Sequence, residues 1–131
     1  MTEKQLLDFC KSQNWSTKLD GTVVTKSWTR NFIRIKDIGI RNTVVTISYE
    51  INESTKEITF SNITFYGGIT DGSGKTYYAH PKNDTEMCDF IIKSVERYKK
   101  FSSRLTHSTI TKLQNKIEQL QNEIERIKLF I

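Results

Sequence analysis

The period of the apolar positions changes twice along the chain, and each change predicts a different kind of element. Thr2-Glu3-Lys4-Gln5 has the form of a capping box, in which the Thr2 hydroxyl and the Gln5 amide satisfy backbone donors at a helix start. Leu6, Leu7, Phe9 and Cys10 then predict a short amphipathic helix ending near Asn14. From Ser16 the period falls to two. Asp20-Gly21 reads as a two-residue hairpin between Ser16–Leu19 and Thr22–Trp28. Further strands are expected over Asn31–Asp37, Thr43–Ile51 and Glu57–Tyr66, with turns at Ile38-Gly39-Ile40 and Asn52–Lys56. In Thr43–Ile51, Val45, Ile47, Tyr49 and Ile51 share one face and Thr46, Ser48 and Glu50 the other, so the sheet has one wet side. Along Glu57–Tyr66 the apolar set switches phase from Ile58 and Phe60 to Ile63 and Phe65. A switch of one residue predicts a bulge near Ser61-Asn62, and a bulge bends a sheet.

Beyond a glycine-rich loop at Gly67–Gly74 and a short strand at Thr76–His80, Pro81 closes the β region. Asn83 or Asp84 can cap the next helix, whose broad apolar face of Met87, Phe90, Ile91, Val95, Tyr98, Phe101 and Leu105 belongs on the sheet. Ser102, Ser103 and Thr106–Thr109 are poor helix formers and predict a break or kink. Ile110, Leu113, Ile117, Leu120, Ile124, Ile127 and Ile131 then follow at alternating steps of three and four, a heptad seam too narrow to cover a globular core. Ile at a with Leu at d favours a parallel pair of strands, and Glu123 at g would face Lys128 at e of the partner helix. The competing reading is an intramolecular hairpin. Helices of this length are marginal alone, so a coil here must be seeded by the folded body. The expected fold is α+β: an N-terminal helix, a curved antiparallel meander of about five to six strands, a sheet-covering helix and a C-terminal coiled-coil helix. Residues 1–105 would form the globular body and 106–131 the dimerisation helix.

Composition narrows the classes. The chain has 131 residues, 36% hydrophobic, with a mean hydropathy of -0.52. No apolar run approaches membrane-spanning length, and Met1–Cys10 lacks the pattern of a secretory signal, so a cytoplasmic setting is expected. Cys10 and Cys88 are far apart in sequence and outside any CxxC motif, as buried reduced thiols would be. The net charge of +5 suggests attraction to polyanions only where it is clustered. It is clustered: Lys26–Arg41 and Lys93–Arg104 each contain five basic residues and one acid.

The first cluster holds the strongest candidate. With period two, Trp28, Arg30, Phe32, Arg34 and Lys36 share one face of a strand. Rings interleaved with guanidinium groups suit single-stranded nucleic acid or a nucleotide, because rings stack on bases while cations hold phosphates. The rival is a solvent-facing strand whose arginine stems shield exposed rings. In the second cluster Lys93, Arg97, Lys100 and Arg104 form a helical stripe, either an extension of that surface or a solvated face. Gly72-Ser73-Gly74-Lys75-Thr76 ends like a phosphate-binding loop, but Ile69 stands where the first glycine is required and no helix follows. His80 and His107 have no partner at metal-ligand spacing, and no cofactor is implied. In outline the arrangement resembles the small dimeric single-strand-binding transcription coactivators, a likeness of fold with no shared motif.

The expectation is therefore a non-enzymatic homodimer engaging nucleic acid or a nucleotide-type anion. The alternative is a small inhibitor or adaptor of phage type acting on a bacterial defence or CRISPR effector; an enzyme is a remote third. The Lys, Ile, Asn and Thr richness is compatible with the AT-rich genome such an origin implies.

Overall fold

The computed structural model describes residues 1–67 and 74–131. Its elements are α1 (Glu3–Ser12), β1 (Ser16–Val24), β2 (Thr29–Lys36), β3 (Thr43–Ile51), β4 (Ile58–Gly67), β5 (Lys75–Tyr78) and α2 (Asp84–Lys128). The five strands form one antiparallel sheet in sequence order, the α+β meander that the period-two segments predict. Contacts divide the chain into two compact units, Met1–Lys99 and Lys100–Ile131.

In the first unit, cross-strand pairing lines up Ile33, Ile47, Ile63 and Tyr77, and beside them Ile35, Val45 and Phe65. All seven are buried. Against this face lie Leu6 and Cys10 from α1 and Met87, Ile91, Val95 and Tyr98 from α2, all buried. Tyr98 stacks on Phe65 with centroids 4.4 Å apart, and Phe90 meets Phe60 edge-on at 5.6 Å, both within the favourable range for ring pairs. The Tyr49 hydroxyl donates to Glu3 Oε2 at 2.6 Å and so ties the middle of the sheet to the first turn of α1. The capping box of α1 is present, with Gln5 N–H donating to Thr2 Oγ1 and Thr2 N–H to Gln5 Oε1. Asn83 caps α2 by accepting from Glu86 N–H at 2.8 Å.

The bulge expected near Ser61-Asn62 lies there: Ser48 pairs with Asn62 and Tyr49 with Phe60, which leaves Ser61 as the extra residue. Asp20-Gly21, in contrast, is not a hairpin. β1 runs through it, and the register slips between Leu19 and Thr22 around Gly21 at φ 98°. A glycine at positive φ serves a bulge as well as a turn, so the dipeptide alone does not separate the two. The β1–β2 turn falls instead at Thr25–Trp28, where Thr25 N–H donates to Trp28 O at 2.8 Å. Gly67 at φ 96° has a different constraint, since a Cβ there would collide with the Asn42 carbonyl oxygen.

The break expected at Ser102–Thr109 is also absent, and α2 is a single helical element through these residues. Thr106 Oγ1 donates to Ser102 O at 2.8 Å and Thr109 Oγ1 to Leu105 O at 2.9 Å. These hydroxyls bond back to carbonyls four residues earlier instead of competing with the helix for its amides. In the second unit the seam residues Ile110, Leu113, Ile117, Leu120, Ile124 and Ile127 are 45–59% exposed, so no described part of the chain covers them. Ile131, expected as the last a position, lies beyond the helix, which ends at Lys128.

Two predictions follow from this core. Gly67→Ala should destabilise the fold by about 2 kcal/mol or more in chemical denaturation, because positive φ and the Asn42 carbonyl both oppose a side chain. Burial pushes the Cys10 thiol up to about 12 from an ordinary 9.0, with the neighbouring Cys88 adding to the shift. A raised folded value stabilises the fold below the unfolded value and is lost as pH rises through the folded one, so its contribution should decline between about pH 9 and 12. Cys10 should accordingly resist a thiol reagent at pH 8 until denaturant is added, whereas a rapid native reaction at both cysteines would contradict its burial.

Candidate functional site

Because α1 and the first half of α2 cover one face of the sheet, the side chains of the other face are left uncovered. The pleat fixes which these are. From β2 come Arg30, Phe32, Arg34 and Lys36, with Trp28 just ahead of the strand; from β3, Thr46 and Ser48; from β4, Asn62, Thr64 and Tyr66; from β5, Thr76 and Tyr78. Trp28, Arg30, Phe32, Arg34 and Lys36 thus lie together as their alternation predicts, while Ile33 and Ile35 between them are buried on the helix side. The surrounding polar residues and the two tyrosines escape a reading that looks for charge. Their signal is the phase of β4: if Ile63 and Phe65 face the core, Asn62, Thr64 and Tyr66 must face away.

All of these open-face side chains except Arg34 and Lys36 line a groove of about 420 Å³ that runs from Trp28 on one side to Tyr78 on the other. Cross-strand pairing orders its centre in rows, Phe32–Ser48–Asn62–Tyr78 and Arg34–Thr46–Thr64–Thr76. Small polar residues of β3 and β4 form the floor, and larger side chains stand at the margins. The Thr64 and Thr76 hydroxyls bond each other at 2.9 Å. The Arg30 guanidinium lies 5.1 Å from the Trp28 ring centroid and donates through Nη1 to Ser61 Oγ, so the bulge residue of β4 anchors it. Arg34 pairs with Asp20 at 3.0 Å, an interaction made by the residue ahead of the β1 bulge.

Some polar atoms here are left over. Arg30 Nε, Arg34 Nε and Ser48 Oγ are buried without a hydrogen-bond partner among the described residues. Ser48 is only 3% exposed, so its idle hydroxyl stands out in a protein where buried polar atoms normally find partners.

Of the second basic cluster, Lys93 and Arg97 are not brought to this face. Lys93 and Arg97 lie on α2, which covers the opposite side of the sheet. Lys93 is held by Asp89 at 2.8 Å, which raises its ammonium above the ordinary value. Arg97 sits 4.7 Å over the Tyr77 ring. Burial pushes the Tyr77 phenol up and the Arg97 charge acts in the other direction. Lys100 and Arg104 belong to the second unit and are exposed. The glycine-rich loop lies mostly outside the described residues; Lys75 and Thr76 at its end enter strand β5. Among the described residues no group of three or more His, Cys, Asp or Glu is placed to hold a metal ion, and no helix is long and apolar enough to cross a membrane.

Comparison with known proteins finds no matching family model, no matching curated protein and no matching solved structure. The chemistry of the open face has to be read from its own residues. It offers rings for stacking, guanidinium groups for anions and a floor of hydroxyls and an amide for edge-on hydrogen bonds. If Ser48 Oγ is idle in the free protein, Ser48→Ala should change folding stability by no more than about 0.5 kcal/mol, read from the midpoint of urea denaturation. A loss of about 2 kcal/mol would mean that the hydroxyl has an intramolecular partner.

Proposed function

We propose that this protein is a non-enzymatic, homodimeric binding protein that engages nucleic acid or a nucleotide-type anion through the open face of its sheet. The observation that carries the reading is the groove itself, in which Trp28 and Phe32 flank Arg30, with Arg34 next along the same face of β2, while two guanidinium Nε atoms and the Ser48 hydroxyl have no partner among the described residues. A face meant only to be wet would expose short polar groups already satisfied by one another. Stacked rings on a strand add about 1 to 3 kcal/mol per base, and cations add an attraction that weakens with salt. Two free thiols are compatible with a reducing cytosol.

Dimerisation is supported by the exposed seam of the second unit. Its a and d positions are Ile and Leu, and its flank offers Glu123 to Lys128 of a parallel partner; within one chain Lys128 pairs with Glu125 at 3.3 Å. The alternative reading, a phage-type inhibitor or adaptor directed at a bacterial defence or CRISPR effector, draws on the exposed Leu19 and Val24 of the edge strand β1, apolar side chains suited to a protein surface.

Affinity for a labelled oligonucleotide should fall steeply with salt, and the double variant Arg30→Ala, Arg34→Ala should abolish it; undiminished binding by that variant would rule out the groove. Salt-insensitive co-purification with one protein would favour the adaptor reading. For the assembly, Ile117→Lys with Leu120→Lys should convert a dimer to a monomer in light scattering with the circular dichroism of the body retained. A persistent dimer would move the interface away from the seam.

A further inference from the structure

Within the proposed nucleic-acid reading, on which this inference rests, the groove is not symmetrical. Among the described residues the cations of this face come from one side: Arg30 lines the groove, Arg34, paired with Asp20, and Lys36 follow it along β2 beyond the lining, and Lys18 of β1 stands opposite Arg34 in the ladder. The far margin is made by Tyr66 and Tyr78, which are 45% and 72% exposed and bring no charge. Between the margins the floor is polar and short, and Ser48, almost wholly buried there, has a hydroxyl with nothing to bond. Three strand spacings separate β2 from β5, about 14 Å between the backbones of the two margins.

A duplex fits this surface badly. It offers phosphates along both strands and hides its base edges in grooves that are entered by protruding elements such as a helix or a two-stranded ribbon. Here the cations form one line and the hydrogen-bonding groups lie at the bottom of a depression. A single strand meets both conditions, since its backbone can follow one line of cations while its unstacked bases turn sideways. We infer that the groove binds single-stranded nucleic acid with its sugar-phosphate backbone along β2, its bases laid across β3 and β4 toward Tyr78, and a base edge hydrogen-bonded to Ser48. In this arrangement Arg30 and Arg34 neutralise phosphates, Arg34 in exchange for its pairing with Asp20. Trp28 and Phe32 flank the sugar side, and Tyr78 stacks on a base.

The arrangement assigns different physical signatures to the two margins. Loss of a phosphate contact lowers the slope of log affinity against log salt, by about 0.7 per contact for a single strand. Loss of a base contact lowers affinity and leaves that slope alone. The test is fluorescence anisotropy of the full chain with a fluorescein-labelled oligothymidylate of about fifteen nucleotides, long enough to span a site of the usual size. A duplex of the same length serves as the second probe, and both are measured across a salt series. The single strand should bind at least about tenfold more tightly than the duplex. Tyr78→Ala should weaken single-strand binding by about fivefold or more at constant salt slope. Because Tyr78 is an exposed residue at the sheet edge, its removal should leave the circular dichroism unchanged. Ser48→Ala should weaken binding with the same constant slope, and Arg30→Ala should reduce the slope. Equal affinity for duplex and single strand, or an unaltered affinity in Tyr78→Ala, would overturn the crosswise placement while the slope change in Arg30→Ala kept the proposed function standing. Failure of both probes to bind at low salt would overturn both.

Discussion

One surplus residue in β4 decides which side chains face each side of this sheet. Without the slip at Ser61, the pleat would turn either Phe60 or the pair Ile63 and Phe65 toward water, and the core under α2 would lose either the ring that meets Phe90 or the ring that stacks on Tyr98. With it, Phe60, Ile63 and Phe65 all lie buried, and Asn62, Thr64 and Tyr66 are carried together to the open face. The same residue then accepts a hydrogen bond from Arg30. The device that reconciles the core therefore also positions a cation of the groove, and the two faces cannot be altered independently.

The distribution of the helices explains why the groove exists at all. Both α1 and the sheet-covering half of α2 are committed to one side by the row of aliphatic residues through Ile33, Ile47 and Ile63. A sheet with one covered face must find another way to keep its second face compatible with solvent, and short hydroxyl side chains on the two central strands do this at little cost. The rings at the margins are not needed for that purpose. Their exposure beside unsatisfied guanidinium nitrogen atoms is the feature on which the proposed binding role draws.

Much of this was legible from spacing. The alternation in β3, the phase change in β4 and the one-faced order of Trp28 to Lys36 each follow from the two-residue repeat, which is a direct geometrical property of a strand. The helical placement of Ile110 to Ile127 likewise follows from their steps of three and four. What could not be read depended on partners distant in sequence. Asp20-Gly21 supplies a positive φ, but only the pairing of Leu19 with Ile33 and of Thr22 with Asn31 makes it a bulge instead of a turn. Thr106 and Thr109 look like helix breakers by propensity, yet propensity is a weak prior, and both hydroxyls bond within the helix. A basic stripe on α2 shows that Lys93 and Arg97 share a helical face, and nothing in that spacing tells which side of the sheet the helix will occupy. Ser48 was placed on the wet face correctly, but its idleness is a property of its neighbours and has no local signature.

The slip at Gly21 has a further consequence, for how concentrated the protein can be kept. β1 is an outer strand, its free edge offers backbone groups to any passing chain, and its exposed Leu19, Val23 and Val24 would reward such an encounter. A bulge interrupts the regular run of donors and acceptors and increases the local twist, so a second strand finds no long straight ladder to extend. Lys18, close to the slip, adds a charge that a stacked copy would have to bring near its own. The glycine that spoils the hairpin reading thus also interrupts the edge along which a second copy would have to pair.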